Sequence, residues 1–320
     1  MIAIARPEIF FSRMGGHSFK ARRPQSHAGI QRSAGLLPRD NIENEKDMPS
    51  RIIAVPLMLL AGLFGYLTYE YGEHYTYGLV LAVVFLVLDF VFAPQINWWW
   101  WMRFPPDLPK SLHLPVEQTP FYQRLSEEDQ RIFRRRVFLF SQAQIFRPQA
   151  IKEVTEDVKT AISTAAIQVN FHRLNFLYPD YENIIVYLHP FPSPQHPDHM
   201  HASELFEDEH GNGLIFSIEH VLRSFLEPAA YYNVCIHEYA LLLVKTSPEV
   251  QFPEVGEEHW PALEQISGFT REKLLEYIGL EEMDPLLVAI HHYLVFRERF
   301  DSVLPDLAEA LDAIFRQKPQ

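Results

Sequence analysis

The sequence predicts an α+β protein, mostly helical with a small sheet, preceded by two transmembrane helices. Three observations lead there. Two long apolar runs stand close together near the N-terminus, short β-branched runs follow in mid-chain, and the last third returns to helical spacing. At 320 residues the chain has room for one good-sized domain with accessory segments.

Residues 1–50 mix Arg, Ser, Gly and Pro without sustained periodicity, which reads as a disordered N-terminal extension. Met48, directly before the first apolar run, offers an alternative start of translation. A signal peptide is the poorer reading, because no compact apolar core with a small-residue cleavage site follows the early charges.

The hairpin is assigned to 51–103. From Ile52 to Thr68 the run IIAVPLMLLAGLFGYLT has no charge, and from Tyr77 to Ala93 the run YGLVLAVVFLVLDFVFA has only Asp89. Each is about 17 residues, the lower edge of what crosses roughly 30 Å of hydrocarbon as a helix, and flanking aromatics lengthen both. The connector EYGEHYTY has no Lys or Arg, whereas Lys46 and Arg51 precede the first run and Arg103 and Lys110 follow the second. Cations at the outer ends place both termini and the domain on the cytoplasmic side of the inner membrane. The cluster Trp98–Trp101 fits an interfacial belt. Two buried core helices are the competing reading. Asp89 is costly in hydrocarbon unless it faces a partner helix or a water-filled crevice, and the plainer expectation is that it lies near the membrane surface and reaches out or pairs there.

A linker at 104–120, containing FPPDLP, leads into a domain at 121–320. Ser126 followed by Asp129 reads as a helix start, with Ile132, Phe133, Val137 and Phe140 at helical spacing. A second helix is expected around 151–166, then strands at Ile167–Phe171, Ile184–Leu188 and Leu214–Ile218. Helices follow at Val234–Lys245, Arg271–Ile278, Pro285–Arg299 and from Pro305, whose Leu307, Leu311, Ile314 and Phe315 share a face.

The formal net charge of -13 argues against a nucleic-acid partner, since phosphate binding needs clustered cations. The short run Arg134–Arg136 reads as a solvated helix face. Cys235 is the single cysteine, so no internal disulfide can form, and as a nucleophile it has little support.

The chemistry-bearing motif is NVCIHEYALLLVK at 233–245, where Glu238 follows His237 on an apolar helix. This is half of H-E-x-x-H, in which two histidines one turn apart hold zinc and the glutamate activates a bound water. The position four after His237 is Leu241, which cannot ligate. A bare His-Glu pair is weak by itself.

Distributed segments strengthen it. FYQRLSEEDQRIF at 121–133, NIIVYLHPF at 183–191, GLIFSIEHVL at 213–222, NVCIHEYA at 233–240, MDPLLVAIHHYLVF at 283–296 and LPDLAEALDAIF at 304–315 follow the order and spacing of one family. Over about 200 residues the soluble part resembles the Mlc titration factor A family of zinc-dependent peptidases. The resemblance implies a zincin-like metallopeptidase domain with an edge strand above the site. It assigns His237 to a metal-ligand position and Glu238 to the general-base position. It also implies lost positions: the second histidine is Leu241, the Asp three residues later is Val244, and the acid of the family's Asp-Pro-x-Glu is Leu287, after Asp284, Pro285 and Leu286.

One imidazole cannot hold zinc against water, and three apolar replacements suggest a cavity filled by packing. His291, one turn beyond Leu287, is the available substitute ligand, although a turn of roughly 5.4 Å is long beside a zinc–nitrogen bond of about 2.0–2.1 Å. The plainer expectation is that His291 and His292 form a partly exposed helix surface. The loop 189–201, with His196, Asp198, His199 and His201, reads as solvated and acidic, with adventitious metal uptake as its alternative. The expected protein is therefore a membrane-anchored pseudopeptidase with a binding or regulatory role, taking a protein or peptide partner and no cofactor. The alternative is an active zinc-dependent peptidase using substituted ligands.

Overall fold

The computed structural model describes residues 49–192, 199–208 and 211–315. The extension up to Met48 lies outside them, as do His196 and Asp198. Pro49 and Ser50, assigned above to the extension, already belong to the first helix.

Two antiparallel helices come first, α1 (Pro49–Tyr71) and α2 (Thr76–Arg103). Both are long and apolar enough to cross a membrane, and their most apolar windows are only 0% and 11% buried. A core helix would be covered by neighbours, so the buried-helix reading does not describe them. They meet along one seam. Gly78 lets the Phe64 ring lie against the α2 backbone, where an added Cβ would stand 2.5 Å from the ring. At the outer end, the Ser50 N–H donates to Asn97 Oδ1 at 3.1 Å and so satisfies one of the orphan donors of the first turn of α1. Asp89 is buried within the protein. It sits eight residues before Asn97, about 12 Å along the axis, buried at mid-helix with Oδ1 unbonded.

The end of α2 belongs to the domain. Trp101 is buried edge-to-face on Phe138, ring centres 5.8 Å apart, and Trp98 packs on the same core, while Trp99 and Trp100 remain exposed. Residues 104–120 are likewise no free tether. They form α3 (His113–Glu117) and the start of α4 (Pro120–Gln123), and bury Leu108, Leu112 and Val116. Asp107 accepts from Arg134 Nε at 3.0 Å and Nη2 at 3.1 Å. Arg136 donates to the carbonyls of Phe171 and Arg173 at 2.7 and 2.9 Å. Arg134 and Arg136 are therefore anchors, which corrects the solvated-face expectation at those two positions.

The remaining helices are α5 (Glu127–Ala143), α6 (Glu156–Asn170), α7 (Ile218–Leu226), α8 (Val234–Thr246), α9 (Trp260–Ser267), α10 (Arg271–Ile278), α11 (Pro285–Val295), α12 (Arg297–Val303) and α13 (Pro305–Phe315). Ser126 caps α5, its Oγ accepting from the Asp129 N–H. The strands are β1 (Ile145–Gln149), β2 (Asn183–Tyr187), β3 (Phe191–Pro192), β4 (Met200–His201), β5 (Ser203–Asp208) and β6 (Gly211–Ser217). The main sheet runs β1-β2-β6-β5. β1, β2 and β6 are parallel, with Ile184 opposite Leu214, and β5 runs antiparallel on β6 with Ser203 opposite Phe216. One sheet edge is thus formed by β5, the only strand of the four that runs against the others.

The strand expected at Ile167–Phe171 is the last turn of α6 instead. Val158, Ala161, Ile162, Ala165 and Val169 recur at helical spacing and are all buried, and this packing outweighs the β-branched residues of the segment. The helix expected over Pro285–Arg299 breaks at Phe296 (φ -108, ψ 41), whose ring folds against Phe269 and His292.

Candidate functional site

The site grows from the N-terminus of α8. Asn233 is its cap: Oδ1 accepts from the N–H groups of Cys235 and Ile236, both at 3.0 Å. One turn further on, His237 and Glu238 are each only 3% exposed. Adjacent positions on a helix face different directions, so the two side chains find different partners.

Glu238 faces the sheet edge. The first residue of β5, Ser203, donates its hydroxyl to Glu238 Oε1 at 2.8 Å. Burial, reinforced by nearby Glu204 and opposed by the serine bond, pushes the carboxyl up to about 7. His237 faces the aromatic side, its Nδ1 3.0 Å from the Tyr232 hydroxyl. Burial holds the imidazole down to about 4, so it is neutral at physiological pH.

His291 and His292 are fully buried, which overturns the expectation of a partly exposed surface. Their hydrogen bonds fix their tautomers. The Asn233 backbone N–H can only donate, and it does so to His291 Nε2 at 2.9 Å. A neutral His291 then carries its proton on Nδ1, which lies 3.1 Å from His292 Nδ1 and donates to it. His292 in turn carries its proton on Nε2, which is buried without a hydrogen-bond partner among the described residues. Burial depresses both rings, His292 to about 3, which keeps the pair neutral. Tyr232 stacks on His291 with ring centres 4.0 Å apart. This chain of donors ties the start of α8 to α11.

The positions that resemblance marks as lost are packed. Leu287 is 3% exposed within the core, and Leu241 and Val244 lie half-buried against it. His291, the substitute ligand, has its lone pair on the Asn233 N–H and its proton on His292, so no free nitrogen faces His237. Among the described residues no three His, Cys, Asp or Glu side chains converge in a way that would hold a metal ion. The described side chains around His237 thus do not make up the three-ligand set of a catalytic zinc. Cys235 is buried, and burial raises its thiol well above the usual range, so it is no nucleophile. In the loop at 189–201, His199 is exposed near Glu281, but His201 is buried, which corrects the solvated reading there.

Sequence reasoning singled out His237 and Glu238 and did not mention Ser203, Tyr232 or the role of Asn233. The cap could have been read from Asn233 directly before an apolar helix. Ser203 gave no local signal, because it meets Glu238 across 35 residues of chain.

Residues 102–251 match the family model of the glucose-regulated metallo-peptidase M90. The match includes α8 with His237 and Glu238 and ends before α11, so Leu287 and His291 lie outside it. No curated protein matches the chain.

Proposed function

We propose that this chain, which belongs through residues 102–251 to the glucose-regulated metallo-peptidase M90 family, is a membrane-anchored homologue that no longer hydrolyses peptides and serves as a binding or regulatory module. The family is one of zinc metallopeptidases, and the fold that would frame the metal is retained here. α8 carries the His-Glu pair beneath an antiparallel edge strand. The observation that carries the proposal is that the pair has protein contacts and apolar neighbours in place of further ligands. Glu238 is bonded to Ser203, His237 is bonded to Tyr232, and apolar side chains fill the positions where further ligands would stand. A catalytic zinc takes three protein ligands and keeps one position open for water.

Two features support a protein or peptide as the partner. Among the described residues β5 pairs on one side only, with β6, and its sequence SELFED is acidic. An extended basic segment suits such an edge, through main-chain pairing and charge. The acidic net charge speaks against nucleic acid. The cations that flank the hairpin support a module at the inner (cytoplasmic) membrane with both termini on the cytoplasmic side.

The test is metal content. The full chain, purified in detergent and dialysed after exposure to excess zinc, is expected to retain well under one equivalent by elemental analysis. It is also expected to leave a panel of unstructured peptides uncut. One tightly held zinc per chain, with cleavage abolished by a chelator and by Glu238→Gln, would establish the substituted-ligand peptidase instead.

A further inference from the structure

We infer that the end of α2 and the segment after it form a collar that rests on lipid headgroups, and that this collar holds the domain against the bilayer in a fixed pose. The inference rests on the membrane reading of the hairpin and goes beyond it in assigning a contact surface to the domain.

The hydrogen bond from Ser50 to Asn97 sets the first turn of α1 level with Asn97. α1 has 23 residues, which at about 1.5 Å per residue is roughly 35 Å, enough for a hydrocarbon layer of about 30 Å with a little over. Asn97 therefore stands near the membrane surface, and Trp98–Arg103 emerge among the headgroups. At that level the helix has two faces of different character. Trp98 and Trp101 turn inward to the domain core, with Trp101 on Phe138. On the outer face Trp99 is 66% exposed, Trp100 41% and Phe104 56%, with Phe104 packed on Trp100 at 4.6 Å. Arg103 and Lys110 are exposed beside them.

Exposed indole rings with cations, continuous with an apolar span, match the headgroup boundary, where an amphipathic ring has one wet end and one apolar end. Because Trp101 and Leu108 are both buried in the domain core, and Asp107 is clasped by Arg134, no slack remains between span and domain. The domain sits on the membrane rather than swinging from it.

The experiment uses the full chain in phosphatidylcholine–phosphatidylglycerol vesicles, with lipids brominated high on the acyl chain as a fluorescence quencher. Trp99 and Trp100 are exposed, and Trp260, buried in the domain core, is changed in both chains alike, so its effect is common to the two. One chain carries W260F alone, leaving four indoles in the collar, and a second carries W99F, W100F and W260F, leaving Trp98 and Trp101. The first is expected to lose a large share of its emission to the quencher, and the second less than a third of that share. Equal quenching of the two would overturn the inward–outward division and with it the collar. Flotation reports separately on the hairpin: a chain that does not rise with the vesicles overturns the membrane reading itself, whereas a chain that floats but quenches equally overturns only the collar.

Discussion

Replacing His291 with leucine tests whether that ring is a structural acceptor or a ligand in waiting. The side chain is fully buried, and leucine is near enough in volume that little cavity results. What is lost is polar. The Asn233 N–H, now 2.9 Å from Nε2, would be left buried without an acceptor, a cost of about 1–3 kcal/mol. His292 loses the donor 3.1 Å away, roughly 0.5–1.5 kcal/mol, and the stack on Tyr232 is worth a similar amount. Together these come to about 4 kcal/mol. At about 2–4 °C per kcal/mol for a domain of this size, the midpoint should fall by roughly 8–16 °C. Thermal unfolding of the full chain in detergent, followed by near-ultraviolet circular dichroism, would show it. The fall should be the same with zinc and with chelator. A fall under about 2 °C would refute the donor chain. A zinc-dependent midpoint in the unsubstituted protein that vanishes in His291→Leu would show that the ring coordinates metal.

Acid stability should carry the mark of His172, whose ring packs edge-to-face on Phe315 at 5.1 Å. Burial, then the charges of Arg173 and Arg136, hold it down to about 4. The unfolded chain binds that proton near pH 6.5, so between about 6.5 and 4 it holds more protons than the folded one, and stability falls as pH falls, by up to about 1.4 kcal/mol per unit. His172→Phe keeps the ring contact and should flatten that part of a denaturant-midpoint-against-pH curve; an unchanged slope would remove His172 as its source. Gly279→Ala should be strongly destabilising. The residue has φ +88, and an added Cβ would stand 2.0 Å from the Met200 carbonyl oxygen, so about 1–2 kcal/mol of backbone strain adds to displacement of the strand. A loss under 1 kcal/mol in urea unfolding would contradict this.

Much of this architecture was legible in the sequence because its signals are local. The hairpin follows from apolar length alone, and α10 follows from Thr270 as cap and Gly279 as stop, with the helix at Arg271–Ile278 as expected. The errors fall where the deciding contact is distant. β1 includes Pro148, tolerated because the strand lies at an edge of the sheet, and β5 is half acidic, so neither shows the apolar alternation that marks a strand. The ending of α6 looked like a strand because β-branched residues suit a sheet, and only its burial on all sides explains the helix. The four tryptophans read as one belt, since adjacency in sequence conceals that positions 98 and 101 share a helical face distinct from that of 99 and 100.

The histidine pair was misjudged for the same reason, and its surroundings explain how buried polar groups are satisfied within the domain. A buried imidazole or carboxyl destabilises a fold unless something bonds it. In a working zinc site the metal does part of that. Here His291 is satisfied by a backbone N–H 58 residues away, His237 by Tyr232, and Glu238 by the first hydroxyl of the edge strand. His237 and Glu238 each have one protein partner, and the positions without polar groups are filled with Leu287, Leu241 and Val244. The polar remainder of the site thus has become part of the packing: the bonds that hold His291 and Glu238 also clamp the start of α8 to α11 and to β5. The folded state therefore gains from these contacts, and with Nδ1 of His237 held by Tyr232, only its Nε2 is left for any other ligand.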